Sequence, residues 1–115
     1  MTEASETTSE EEPLDGEMLS FGIIGDAGMA RSLAFEALKA AKAGDFEKAD
    51  DLMAQSKAAG IEAHHKQTSL LTREAGGDHV PVDVILVHAQ DHLMTSMLAQ
   101  ELIAEIIELR REAAK

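Results

Sequence analysis

Two imidazoles and one carboxylate occupy a single turn of an apolar segment. The stretch VILVHAQDHLMTSM, residues 84–97, carries His88, with Asp91 and His92 three and four positions later. Side chains at these spacings lie on one face of an α-helix. Burial of such groups costs free energy unless a partner, solvent or a ligand compensates for it. We therefore expect this turn to be either a polar network between helices or a reactive site.

Three kinds of chemistry fit the turn. A polar network would fix the register of packed helices, and spacing alone favours this interpretation. A metal site is a second possibility, because imidazoles at i and i+4 with a carboxylate suit zinc or another divalent ion, although the chain lacks an HExxH motif. Third, the neutral imidazole of His88 could accept a phosphoryl group as a transient phosphohistidine. Gln90, Thr95 and Ser96 are further polar candidates nearby, of which only Thr95 shares the face of His88 and His92.

The other three histidines carry weaker expectations. His79 lies in a glycine-containing loop segment and is expected to be solvated. His64 and His65 are adjacent, so their side chains point about 100° apart on a helix. We expect His64 to pack beside a seam of small residues and His65 to point outward. Nothing in the chain resembles a P-loop or a kinase glycine loop, which argues against direct ATP binding.

Three long helices must position these residues. With three Phe and neither Trp nor Tyr, the core has to be built from Ala, Leu, Ile, Val and Met, a composition that favours closely packed helices. Gly44 predicts a helix end, Asp45 a helix start, and AGGDHVP at residues 75–81 a loop. The predicted fold is all-α: an antiparallel up-down-up three-helix bundle in residues 17–115, with helices at about 17–43, 45–75 and 82–113.

The apolar patterns predict how the helices pack. Gly22, Gly25 and Gly28 would give the first helix a smooth side that another helix could approach. The second helix carries a heptad seam, formed by Phe46, Ala49, Met53, Ser56, Gly60, Ala63, Gln67 and Leu70. Between residues 82 and 99 the third helix is apolar nearly all round, and a three-helix bundle would cover only one side of it. We therefore expect a homo-oligomer.

The charge is concentrated at the N-terminus. Residues 1–17 hold seven acidic residues and no Lys or Arg, which leaves −5 of the total charge of −12 for residues 18–115. Residues 1–16 are predicted to be a disordered acidic tail. The chain has no basic stripe for nucleic acid, no cysteine and no apolar run of membrane-spanning length. We expect a cytoplasmic protein that binds no nucleic acid and does not insert into membranes.

The residues around the His-Asp-His turn resemble a known family. The segments LVHAQDHLMTSMLAQELIAEIIEL, ARSLAFEALKAAKAGDFEKADDLMAQS and EAHHKQTSLL are similar to enzyme IIA of the lactose/chitobiose (cellobiose) branch of the bacterial phosphoenolpyruvate:sugar phosphotransferase system. The resemblance extends over residues 18–115, and HAQDHLMTSM is its most specific part. An acidic N-terminal tail is also typical of chitobiose-type members.

The resemblance implies a phosphocarrier that assembles as a homotrimer with coiled-coil-like packing. The first histidine of HAQDH is His88, which would take a phosphoryl group from the carrier HPr and pass it to a cysteine of the cognate IIB protein, which in turn serves the membrane component IIC. Asp91 would meet its symmetry mates on the threefold axis and bind a divalent cation, Mg²⁺. Gln90 and His92 would support His88. The transported sugar would be N,N'-diacetylchitobiose, cellobiose or lactose. The alternatives are a non-catalytic trimeric helical adaptor and a metal-binding protein.

Overall fold

The computed structural model describes residues 15–115, which form three helices and no strand. We number them α1 (Gly16–Lys42), α2 (Phe46–Ala75) and α3 (Val84–Ala113). α1 packs along both other helices, whereas α2 and α3 touch each other much less. The predicted all-α three-helix bundle is confirmed, and its assembly into a trimer stays a prediction. No described helix is long and apolar enough to cross a membrane.

Local side-chain chemistry sets the ends of the helices. Each helix is preceded by an aspartate, namely Asp15, Asp45 and Asp83, whose carboxylate accepts a backbone N–H bond of 2.8 to 3.1 Å from the third residue after it. This bond satisfies one of the N–H groups left without a helical partner in the first turn. Gly44 and Gly77 follow α1 and α2 with φ values of +84° and +93°, which side chains with a Cβ rarely adopt.

The observed helix ends differ slightly from those predicted. α1 begins at Gly16, one residue before the expected start, and α3 begins at Val84, two residues after it. The later start of α3 follows from the cap at Asp83, which leaves Val82 in the loop with 80% of its surface exposed. Of the predicted acidic tail, residues 1–14 lie outside the part of the chain that the structure describes, whereas Asp15 caps α1 and Gly16 begins it.

An alanine seam on α1 brings the backbones close enough for side-chain hydroxyls of α2 and α3 to reach the backbone of α1. The buried Ser56 of α2 donates to the carbonyl of Ala30 at 2.6 Å, and the buried Ser96 of α3 donates to that of Ala27 at 2.9 Å. Gln100 closes the α2–α3 side, because its amide donates to Ser56 at 2.8 Å. Two apolar clusters complete the core. Of the predicted α2 seam, five members are buried: Ala49, Met53, Ser56, Ala63 and Leu70.

The glycines of α1 do not serve the packing that their spacing predicted. A Cβ at Gly22 would lie 2.7 Å from Cδ of Lys66, whose side chain crosses the glycine to pair with Asp26. Beside Gly25 and Gly28, no atom of residues 15–115 lies within 4 Å of an added Cβ. The expected approach of another helix is therefore wrong within the described chain for Gly25 and Gly28, because the alanine seam on the opposite side of α1 makes the helix contacts.

Candidate functional site

The two imidazoles of the predicted turn are neighbours in the structure. The rings of His88 and His92 meet edge to face, with centroids 4.5 Å apart and ring planes at 83°. His88 is exposed and His92 is half-buried. Neither ring forms a hydrogen bond with any residue from 15 to 115, so the ring nitrogens of both are available. α3 therefore presents one accessible imidazole supported by a second.

The direction of this pair follows from the helical period. Ser96 lies one turn after His92 and reaches the carbonyl of Ala27, so this side of α3 turns toward α1. His88, one turn before His92, lies between this side and the outward face of α3. An approaching molecule can thus reach His88 without displacing any part of the core.

Asp91 lies on the outward face of α3, in the middle of an exposed apolar stripe. The positions of this stripe alternate in steps of three and four from Val84 through Val87, Asp91, Met94 and Leu98. The four apolar residues are more than half exposed, and further along the helix Leu102 and Leu109 extend the same face. The carboxylate of Asp91 has no hydrogen-bond or ion-pair partner among residues 15–115. A helix of a monomeric protein rarely exposes so long an apolar stripe, and stripes of this kind mark interfaces.

Gln90 does not face the imidazole pair. Its side-chain amide and that of Gln67 on α2 form two reciprocal hydrogen bonds of 2.6 and 2.8 Å. Gln90 is two residues after His88, so its side chain lies on nearly the opposite side of α3 from the His88 ring. In this chain Gln90 joins α3 to α2 through both its side-chain oxygen and its side-chain nitrogen. The heptad seam predicts that Gln67 faces the bundle, but no sequence pattern predicts that it pairs with Gln90.

The hydroxyl groups near the turn are also occupied. Thr95 donates to the backbone carbonyl of Asp91 at 2.8 Å, one turn earlier in the same helix. Ser96 is buried and donates to α1, so it has no access to the surface at His88. Among the polar candidates, His92 is therefore the side chain that lies directly beside His88.

The remaining histidines lie elsewhere. His64 lines a groove of about 370 Å³ between α2 and α3, together with Gly60 and Met97, while His65 is exposed. His79, in the loop before α3, contacts the carboxylate of Glu74 at 2.5 Å. The backbone N–H of Val80 and the His79 ring both donate to Glu74, and they lower the pKa of its carboxyl group. His79 is thus the solvated loop residue that we expected, and it also contacts Glu74.

Within a single described chain, no three His, Asp or Glu side chains are arranged to hold a metal ion together. The predicted ion site differs from such a cluster, because it needs one Asp91 from each of three copies. Asp91 fits this arrangement in two respects: it is exposed, and its carboxylate oxygens are ligands that Mg²⁺ prefers.

Comparisons with known proteins agree with this architecture. The family model of the lactose/cellobiose-specific IIA subunit of the phosphotransferase system matches residues 18–111. The N,N'-diacetylchitobiose-specific EIIA component of Escherichia coli is 52% identical over 107 residues, which cover 93% of this chain and 90% of the relative.

Two solved structures share the fold. The cellobiose-specific enzyme IIA of Bacillus anthracis superposes with a TM-score of 0.84 at 42% identity, covering 89% of this chain and 94% of that one. The chitobiose IIA of Escherichia coli, solved in complex with HPr, has a TM-score of 0.78 at 50% identity over 90% of this chain and all of that one. The chain therefore belongs to the lactose/cellobiose-specific IIA family and is a phosphotransferase-system component.

Proposed function

We propose that the protein is a phosphocarrier in which His88 accepts a phosphoryl group from phospho-HPr and donates it to a cysteine of a IIB protein. The observation that carries this proposal is the exposed His88 ring, which has no hydrogen-bond partner in residues 15–115 and lies on a rigid helix of a IIA-family chain. The related chitobiose IIA was solved with HPr, which supports HPr as the donor.

The first transfer is an exchange between two imidazoles. A lone pair on a ring nitrogen of His88 forms the new N–P bond while the N–P bond of the donor histidine breaks. The His88 ring loses one proton overall and the donor ring regains one, so charge is conserved. In the second transfer the IIB cysteine loses its proton and its thiolate forms an S–P bond, while the N–P bond at His88 breaks and the His88 ring regains a proton. The protein contributes positioning, since His88 is held on a helix and is open to both partners.

The neighbours of His88 divide into two roles. His92 is in edge-to-face contact with the reactive ring, so it restricts the ring's orientation and can donate an N–H to a phosphoryl oxygen. Gln90 acts at a distance, because its two hydrogen bonds with Gln67 fix the rotation of α3 against α2. The phosphoryl group adds a charge of about −1.5 to −2 on the same turn as Asp91. This repulsion favours departure of the group to the next carrier.

The apolar stripe supports assembly through α3. Three copies packed along their stripes would bury Val87, Met94 and Leu98 and bring the three Asp91 carboxylates together; the number three comes from the family resemblance. Converging carboxylates repel unless they are protonated or bridged by a cation. A bound Mg²⁺ would supply this positive charge, with Asp91 of each subunit as its ligand.

The proposed pathway continues beyond this chain. IIB would pass the phosphoryl group toward the sugar taken up through the membrane component IIC. The relatives are specific for chitobiose, cellobiose or lactose, so we propose a β-linked disaccharide of this group as the transported sugar.

Labelling with a phosphoryl donor tests the carrier function. Incubation with phosphoenolpyruvate, enzyme I and HPr should phosphorylate the wild-type chain at histidine, and His88→Ala should abolish the label. His65→Ala is the matched control, since it removes another exposed imidazole and should leave labelling intact. An unlabelled wild-type protein would favour the non-catalytic adaptor, and full labelling of His88→Ala would refute the assignment of His88.

The axial assembly has a separate test. Asp91→Leu should remove Mg²⁺ binding and leave the trimer intact or more stable, because apolar packing replaces converging charges. Sedimentation analysis of the wild type and of this variant measures the assembly. A wild-type protein that sediments only as a monomer contradicts the proposed role of the stripe.

A further inference from the structure

The imidazole pair on α3 has the i, i+4 spacing of histidines that bind one metal ion together. His88 and His92 are four residues apart with ring centroids 4.5 Å apart, and neither ring is hydrogen-bonded within residues 15–115. Two histidines at this spacing supply two of the zinc ligands in HExxH helices. Neutral imidazole nitrogens are ligands for zinc, copper and nickel, whereas Mg²⁺ prefers oxygen. The pair is thus chemically distinct from the Asp91 carboxylate site.

The distance between the two ring centroids is close to what one ion requires. With Zn–N distances of 2.0–2.1 Å and tetrahedral angles, two imidazoles on the same ion have centroids about 5 Å apart. The observed 4.5 Å can reach this value by side-chain rotation, with no change of the helix backbone. Because His88 is exposed, water can complete the coordination shell.

We propose that His88 and His92 together bind a divalent transition-metal ion such as Zn²⁺, and that the bound ion blocks phosphoryl acceptance. The second part rests on the proposed function. A ring nitrogen uses one lone pair either for the metal or for phosphorus, so a metal bound at the reactive nitrogen of His88 excludes formation of the N–P bond there. The spacing that positions His92 to support the reactive ring therefore also makes the site sensitive to free metal.

The chain contains its own control for nonspecific imidazole binding. His64 and His65 are both exposed, yet as neighbours in α2 their side chains point about 100° apart. They cannot place two nitrogens on one ion within a chain. Loss of His65 should therefore leave the proposed site unchanged.

Calorimetric titration with zinc chloride tests the binding. Metal-free wild type, His65→Gln and Asp91→Asn should bind zinc equally, and His88→Gln and His92→Gln should bind it at least about tenfold more weakly. Equal affinity in all five proteins overturns the proposal. Imidazole NMR spectra of the wild type give an answer that requires no variant: zinc should shift the His88 and His92 signals, and shifts confined to the other three histidines also overturn it.

Phosphoryl transfer from purified phospho-HPr tests the inhibition, without enzyme I or added Mg²⁺. Zinc at its measured dissociation constant should roughly halve the initial rate for wild type and for His65→Gln, and EDTA should restore it. The rate that remains in His92→Gln should not fall further with zinc. Wild type that is saturated with zinc and accepts phosphate at an unchanged rate contradicts the inhibition. If metal-free wild type accepts no phosphate, the proposed function fails, while the titration still decides the zinc site.

Discussion

Replacing Gly25 or Gly28 by alanine should stabilise the folded chain. Both glycines are within α1, where glycine costs about 1 kcal/mol relative to alanine. No atom of the described residues lies within 4 Å of the added methyl group at either position, so no steric penalty offsets the gain. Each substitution should therefore raise the free energy of unfolding by about 0.5–1 kcal/mol.

Gly22→Ala is the matched control, because this glycine is in the same helix but in contact with α2. Its added Cβ would lie 2.7 Å from Cδ of Lys66, which pairs with Asp26. The lysine side chain must move, and the loss of a partly exposed ion pair costs about 0–1 kcal/mol. The gain in helix propensity and this loss nearly cancel, so Gly22→Ala should be close to neutral.

Urea unfolding followed by far-ultraviolet circular dichroism measures all three variants, since the chain has neither Trp nor Tyr for fluorescence. Protein concentration must be held constant, because subunit association contributes to the apparent stability. A loss of stability in Gly25→Ala or Gly28→Ala would refute the premise that this side of α1 is open. If that loss depends on protein concentration, another subunit packs closely against the glycines.

Three further substitutions test the internal contacts. Ser96→Ala removes the hydroxyl bond to Ala27 and should cost about 1 kcal/mol in urea unfolding. Gln67→Leu leaves the Gln90 amide unpaired and should lower the free energy of unfolding by about 1–2 kcal/mol. The double variant with Gln90→Leu should regain part of this loss, which a double-mutant cycle measures. The pKa of Glu74 is lowered in the folded state, chiefly by the Val80 N–H bond. Its contribution to the free energy of unfolding is therefore full above pH 4.5 and is lost as the pH falls through the lowered pKa. In Glu74→Gln the free energy of unfolding should therefore fall less steeply with decreasing pH in this acid range.

The helices and the proximity of His88 and His92 could be predicted from the sequence because both depend on local signals. Asp45 and Gly44 mark a helix boundary by their own capping chemistry, and the spacing of His88 and His92 determines their shared face. Contacts between helices are harder to predict from the sequence. The pairing of Gln90 with Gln67 depends on how α2 and α3 are rotated against each other, which no local pattern specifies.

The glycines of α1 also show that local patterns do not specify which helix faces pack together. A three-residue spacing of small residues indicates a smooth surface, but it cannot tell whether a helix of the same chain covers that surface. The alanines of the opposite face are buried, and α2 and α3 pack there. Which of two smooth faces is used is thus decided by the whole bundle.

The helical period explains how an exposed imidazole can lie in an apolar helix without disturbing its packing. Each residue of α3 is turned by about 100° from the one before it. After His88, Ala89 is buried in the core, Gln90 binds α2, and Asp91 lies on the outward stripe. An imidazole at position 89 would therefore be buried, one at position 90 would contact α2, and one at position 91 would lie in the stripe. The fourth position returns to the open side, where His92 meets His88. The i, i+4 spacing is thus a consequence of the packing surfaces that already occupy the rest of the turn.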